Sequence, residues 1–298
     1  MSFSLKQVRY FVAAAEAGQI SQAAIELNVS QSAVTAAVKQ LEAMLQISLF
    51  ERHSNGVSLS YDGHRFLQHA RNILAAVNEA VRASQSTHAE VAGRLKIGVT
   101  YTVAGYFLPP HLARFTRSFP EVQVELYEAP RSKIEQSLSK GALDLGVLLT
   151  ANLRNRAGLD SLTLFRSQRR LWLPVEHPLL QADSLSFAEV AEEPYIMLTV
   201  DEAGQTAQRY WRKTEHRPHI IFRTSSVEAV RSMVAAGMGV TILSDMVYRP
   251  WSLEGQRIET RSLSDAVPSM DVGLAWKRSA KLSPAANVFR EFMASAFA

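Results

Sequence analysis

Leu5, Val8, Phe11, Val12 and Ala15 fall on one face of a helix. Ser4 stands where that helix needs an N-cap and Gly18 where it must stop. A second, short helix is expected over residues 21–27, where Ala23 and Ala24 let neighbouring helices approach closely. Asn28 suits a left-handed turn, and Ser30 can cap a third helix that runs to about residue 45. On it Val34, Val38, Leu41 and Leu45 make a core stripe, while Gln31, Ser32, Thr35 and Lys39 project from a different face. Beyond Leu49 and Phe50, Asn55-Gly56 lies between two short strand-like runs and signals a two-residue hairpin. From Ser60 to about residue 87, Phe66, Ala70, Ile73, Val77 and Val81 alternate by four and three. That helix would be about 40 Å long. Its apolar seam has nothing nearby in sequence to bury it, so a helix from a second copy is the economical cover. Packing against the rest of its own chain is the alternative. The pattern breaks around residues 88–93, marking a hinge.

The periodicity then changes to alternating strands and helices. Strands are expected over 95–100, 122–127 and 143–148, with helices following the first two. The alternation restarts near Leu162, with strands over 171–175, 195–198, 219–223 and 240–243 and a helix over 227–236. A last strand, 272–276, and a last helix, 284–297, read as a return to the first set. This order implies an open, mainly parallel α/β sheet in each of two lobes.

Composition narrows the classes. With 298 residues, 47% of them hydrophobic, the chain is a folded protein of more than one domain. No apolar run reaches the roughly 18 residues that would span a bilayer, so no membrane partner is expected. The first residues carry Lys6, Arg9 and Glu16 in an amphipathic pattern rather than in a signal-peptide order, and a cytoplasmic location is expected. There is no cysteine, which excludes disulfides, thiol nucleophiles and cysteine-bound metals. Net charge is +4, yet the first 92 residues hold seven cations and seven anions. The excess charge therefore lies in the remainder, and bulk electrostatics do not locate a nucleic-acid site.

Residue patterns do. Gln can bond adenine bidentately, Ser and Thr reach base edges or phosphates, and Lys pairs with phosphate or guanine. Gln31, Ser32, Thr35 and Lys39 sit near the start of the third helix, as in a recognition helix. The hairpin would be a wing, with Arg52 and His53 meeting backbone or minor groove. The run Ser21-Gln22-Ala23-Ala24 to Leu27, Ser30-Gln31-Ser32-Ala33-Val34-Thr35, Leu41-Glu42, Leu49-Phe50-Glu51-Arg52, Gly56-Val57-Ser58-Leu59-Ser60 and Gly63 resembles the LysR-type transcriptional regulators. The rest of the chain is similar to that family as well. Ser32 stands where the family often has proline. Ala36 stands where a larger polar or basic residue is common; it can touch a thymine methyl but cannot donate a hydrogen bond.

The resemblance implies an N-terminal all-α winged helix-turn-helix over 1–60, a linker helix and hinge over 61–92, and a two-lobed, periplasmic-binding-protein-like effector domain over 93–298. Lobe I would take about 93–161 and 267–298, lobe II about 162–266. It implies a homodimer or homotetramer through Phe66, Ile73, Val77 and Val81, double-stranded operator DNA as partner, a small-molecule effector, and RNA polymerase as a further partner. Ligands of open α/β sheets bind outside strand carboxyl ends near helix N-termini. Thr100-Tyr101-Thr102 and Thr224-Ser225-Ser226 qualify, one triplet on each lobe, and could hold a small anionic metabolite. Ordinary helix capping is the plainer role for each hydroxyl.

Other chemistry is thin. Gly237-Met238-Gly239 lacks the third glycine of a dinucleotide loop, and His216 and His219 lack the spacing of a zinc helix. No catalytic residue, metal or cofactor is expected. A solute-binding module would leave the first ninety residues unexplained. A chromosome-organising protein would not need the two lobes or a neutral N-terminal segment.

Overall fold

Both ends of the first helix form as their local signals require. In the computed structural model, which describes residues 3–53, 56–85 and 91–297, α1 (Leu5–Ala17) opens on a reciprocal cap. The Gln7 N–H donates to the Ser4 hydroxyl, and the Ser4 N–H donates to the Gln7 side chain. Gly18 closes it with a left-handed φ of 67°. Then come α2 (Ile20–Glu26) and α3 (Gln31–Leu45), joined through Asn28 at φ 58°. The wing is β1 (Phe50–His53) paired antiparallel with β2 (Gly56–Leu59), followed by α4 (Tyr61–Gln85). Val8, Phe11, Val34, Val38, Leu41 and Leu49 form the buried core of this unit. Together these elements make one compact body, residues 1–88, and the remainder makes another, residues 89–298.

The second body contains β3 (Gly93–Val99), α5 (Tyr101–Tyr106), α6 (Leu108–Ser118), β4 (Val122–Glu128), α7 (Arg131–Ser139), β5 (Leu145–Leu149) and β6 (Leu159–Ser167). It continues with β7 (Arg169–Pro174), α8 (Phe187–Ala191), β8 (Pro194–Leu198), α9 (Ala203–Trp211), β9 (His219–Thr224) and α10 (Val227–Ala235). Last come β10 (Thr241–Ser244), β11 (Ile258–Arg261), β12 (Met270–Lys277) and α11 (Pro284–Ala296). Lobe I is the five-stranded sheet β4-β3-β5-β12-β6. Lobe II holds the antiparallel set β10-β7-β11 and the parallel pair β8-β9.

Two expectations are corrected here. The sheets are mixed rather than mainly parallel: β3 runs parallel to β4 and β5, but β12 is antiparallel to both its neighbours. A chain that leaves lobe I and later returns brings its last strand back in the opposite sense. The first crossover also lies later than residue 161. Residues 162–167 belong to β6, whose Ser167 pairs with Met270 at the start of β12. The two crossovers thus run side by side, and the Arg169 guanidinium donates to the carbonyls of Pro268 and Ser269 across them. One apolar cluster continues through both lobes, joining Val99, Leu149 and Val272 to Trp172, Ile196 and Val227.

Candidate DNA-binding surface and regulatory cleft

The Ser30 hydroxyl accepts from the Ala33 N–H and starts α3, which buries Val34, Ala37, Val38 and Leu41. That burial fixes the opposite face outward. Gln31, Ser32, Ala36 and Lys39 are exposed and Thr35 is half-buried. The Thr35 hydroxyl donates to the Gln31 carbonyl at 2.9 Å, so its oxygen can still accept. Thr35 and Lys39 share a groove with Phe50 and Val57 of the wing. The backbones of Arg52 and His53 lie in β1, and their side chains are outside the described residues.

The wing is placed by contacts of Glu42 and Gly18 that were not read from the sequence, and by Ser60, which was read as the cap of the following helix. Glu42 on α3 accepts from the N–H groups of Leu49, at 2.7 Å, and Phe50, at 3.1 Å. The Val57 N–H donates to the carbonyl of Gly18, which pins β2 to the end of α1. Ser60 donates its hydroxyl to the Ser48 carbonyl and accepts from the Gly63 N–H.

α4 presents two faces. Leu67 and Ala70 are buried in the core of the N-terminal unit, with Leu74 packed on it, and Arg71 pairs with Glu16 of α1 at 2.8 Å. Phe66 joins them: its ring lies 5.2 Å from that of Phe11 and 6.1 Å from that of Phe3. Phe66 thus packs on its own domain while it stays half-buried on the expected seam. Ile73 and Val77 are half-buried and stay off that cluster; the side chain of Val81 lies outside the described residues.

In the second body the two expected hydroxyl triplets are not equivalent. Thr100 follows β3 and is buried, its hydroxyl without a hydrogen-bond partner among the described residues. Tyr101 is exposed. Thr102 is already engaged: its N–H and hydroxyl donate to one oxygen of Asp201 at 2.6 and 2.5 Å. On lobe II, Ser226 caps α10 by accepting from the Ala229 N–H, and the Thr224 hydroxyl accepts from the Ser226 N–H. Ser225 is exposed. Ser226 therefore caps α10, and Thr224 holds the turn before it.

The lobes meet through further polar contacts. Glu202 accepts from Arg131 at 2.7 Å, and Arg131 also pairs with Glu135. The Tyr106 hydroxyl donates to Glu228 at 2.7 Å; burial, reinforced by that carboxylate, pushes its pKa up to about 12. Two adjoining cavities open between the lobes beside α9. One, of about 370 Å³, is lined by Asn152, Arg169, Arg209, Tyr210, Lys213 and Asp271 among others. The other, of about 410 Å³, is lined by Arg131, Arg154, Arg156, Arg209, Arg212 and the single acid Glu202 among others. Sequence reading expects an anion between the lobes but does not name these cationic residues, although the Arg209, Arg212, Lys213 spacing and the location of the excess charge both pointed toward them.

The profile of the lysR-family bacterial regulatory helix-turn-helix matches residues 5–64, and that of the LysR substrate binding domain matches residues 88–298. The chain belongs to the LysR family. It is a DNA-binding transcriptional regulator with an effector-binding domain. The RuBisCO operon transcriptional regulator of Allochromatium vinosum is 31% identical over 298 residues, covering 99% of this chain and 97% of that protein. The uncharacterized HTH-type regulator YybE of Bacillus subtilis is 26% identical, covering 98% of each. Among solved structures, the LysR-family regulator HinK of Pseudomonas aeruginosa shares 25% identity, with a TM-score of 0.65 and 99% of each chain covered. CbnR in complex with its target DNA, at 22% identity and a TM-score of 0.57, has the same fold. Among the described residues of this LysR protein, no helix is long and apolar enough to cross a membrane, and no cluster of His, Asp and Glu could hold a metal.

Proposed function

We propose that this regulator reads operator bases with Gln31, Ser32 and Thr35, holds the DNA backbone with Lys39 and Arg52, and changes its operator binding when a small anionic effector enters between the lobes. The observation that carries the DNA reading is the outward polar half-face of α3, fixed by burial of Val34, Val38 and Leu41 behind it. Gln31→Ala should cost on the order of 1–3 kcal/mol on the specific site and less on random DNA. Fluorescence anisotropy on both DNAs measures this; equal losses would show that Gln31 does not specify sequence.

Two copies are proposed to join through α4, with Phe66, Ile73 and Val77 as the described part of the seam. Paired half-sites need paired reading heads. Ile73→Asp with Val77→Asp should give monomers in sedimentation velocity and weaken operator binding by about tenfold or more. A variant that still sediments as the wild type does would refute the seam.

The effector reading is supported by the cationic lining of the cleft. Thr100, the one buried hydroxyl of the two triplets without a described partner, leads the contacts proposed for the ligand, with Thr102, Thr224, Ser225 and Ser226 of the same triplets. A ligand acts here only by favouring one interlobe geometry over another.

A further inference from the structure

Asp201 and Glu202 are consecutive non-glycine residues in the left-handed region, at φ 49° and 63°. That conformation crowds Cβ against the following carbonyl, so it persists only where surrounding contacts hold it. The contacts are identifiable. Both side chains leave lobe II and end on donors of lobe I, Asp201 on the N–H and hydroxyl of Thr102, Glu202 on the guanidinium of Arg131. The strained pair is thus an anionic latch, and its carboxylates sit where an anionic ligand of the cleft would place its own.

The surroundings are over-supplied with cations. Arg154, Arg156, Arg209 and Arg212 line the same cavity as Arg131 and Glu202, and none of these four guanidinium groups pairs with a carboxylate among the described residues. Arg169 and Lys213 extend the cationic wall into the adjoining cavity, against Asp271. Guanidinium groups match phosphate and carboxylate oxygens in forked pairs, and a recess lined by one sign of charge concentrates ions of the other. A monoanion arriving at Arg131 would exchange one carboxylate for another and gain little. A polyanion would replace Glu202 at Arg131 and also neutralise guanidiniums that Glu202 leaves unpaired.

We propose that the effector of this cleft is a small polyanion, with phosphate or several carboxylates, that binds Arg131, Arg209 and Arg212 by displacing Glu202 and so releases the Asp201–Glu202 latch. This rests on the effector reading above and adds the ligand class and the competition that couples it to the lobes.

The test uses the full chain and titration calorimetry with inorganic pyrophosphate, and with acetate at matched ionic strength as the monoanion. Pyrophosphate should bind and acetate should not. Glu202→Gln, which removes the competing charge while keeping its shape, should tighten pyrophosphate about fivefold or more. Arg209→Ala with Arg212→Ala, both exposed positions on or next to α9, should weaken it about tenfold or more. Thermal unfolding of each variant checks that it is folded. Absent pyrophosphate binding in both wild type and Glu202→Gln, equal affinity in the double-arginine variant, or acetate binding as tightly as pyrophosphate would each overturn the proposal. A metabolite-dependent operator footprint unaltered in both variants would sink the latch and leave the effector reading standing. The predicted affinity pattern with no effect of pyrophosphate on the footprint would keep the polyanion site and refute its role as the regulatory one.

Discussion

Replacing Gly63 with alanine should destabilise the N-terminal unit, although the residue lies in the first turn of a helix. In an exposed helix that change normally gains up to about 1 kcal/mol. Here a Cβ would stand 2.0 Å from the Leu49 carbonyl oxygen and 2.9 Å from its carbon. Both are backbone atoms with little room to retreat. The Leu49 carbonyl accepts from the Ser60 N–H at 3.0 Å, and the Leu49 N–H is held by Glu42. Relief requires separating α4 from the start of the wing, where Leu49 is fully buried. Overpacking of this kind costs about 1–3 kcal/mol, or more against rigid backbone, which exceeds the propensity gain. Urea unfolding should show a lower midpoint, and operator affinity should fall with it because the wing loses its seat. A midpoint equal to or above the wild-type value would contradict the close approach of helix and wing.

The regulatory domain should be most sensitive at Glu135. Its carboxylate is buried and accepts from Arg131, from the Arg154 N–H at 3.1 Å and from the Asn155 N–H at 3.0 Å. It therefore ties α7 to the segment that follows β5. Burial alone would raise this carboxyl, but the Arg131 and backbone hydrogen bonds outweigh it and hold the group below its ordinary 4.5. Glu135→Gln keeps the shape, loses the charge, and turns an amide toward donors. Breaking one side of a buried pair costs about 3–5 kcal/mol; one acceptor survives in glutamine, so about 2–4 kcal/mol is expected, or roughly 5–12 °C in Tm for a domain of this size. The pH dependence has a definite sign. A depressed carboxyl contributes its stability above its unfolded pKa and loses it as pH falls through the folded value. The Tm gap between wild type and variant should thus be constant from neutral pH down to about the ordinary carboxylate pKa, then shrink. A gap that ignores pH across that range would show that the charge of Glu135 does not support the fold.

What could be read directly from the sequence was whatever is encoded within a few residues. Ser4, Ser30 and Gly18 announce helix ends because their partners lie three or four positions away. The stripe of α3 announced both the core and the outward face, since burying one side of a helix commits the other. The order of those signals carried the family. Tertiary structure alone decided what depends on distant pairings. β6 joins lobe I through β12, more than a hundred positions along the chain. Phe66 has the spacing of an intersubunit seam, and only the fold shows that Phe3 and Phe11 pack on it as well. Thr102 is met by Asp201, 99 residues away along the chain. Glu202 reaches Arg131 across 71 residues. Hydrophobic period and capping chemistry are local and repeat along the chain, so they are legible in one dimension. Which carboxylate meets which guanidinium is settled only when two lobes close, because that choice depends on where packing places groups that sequence keeps far apart.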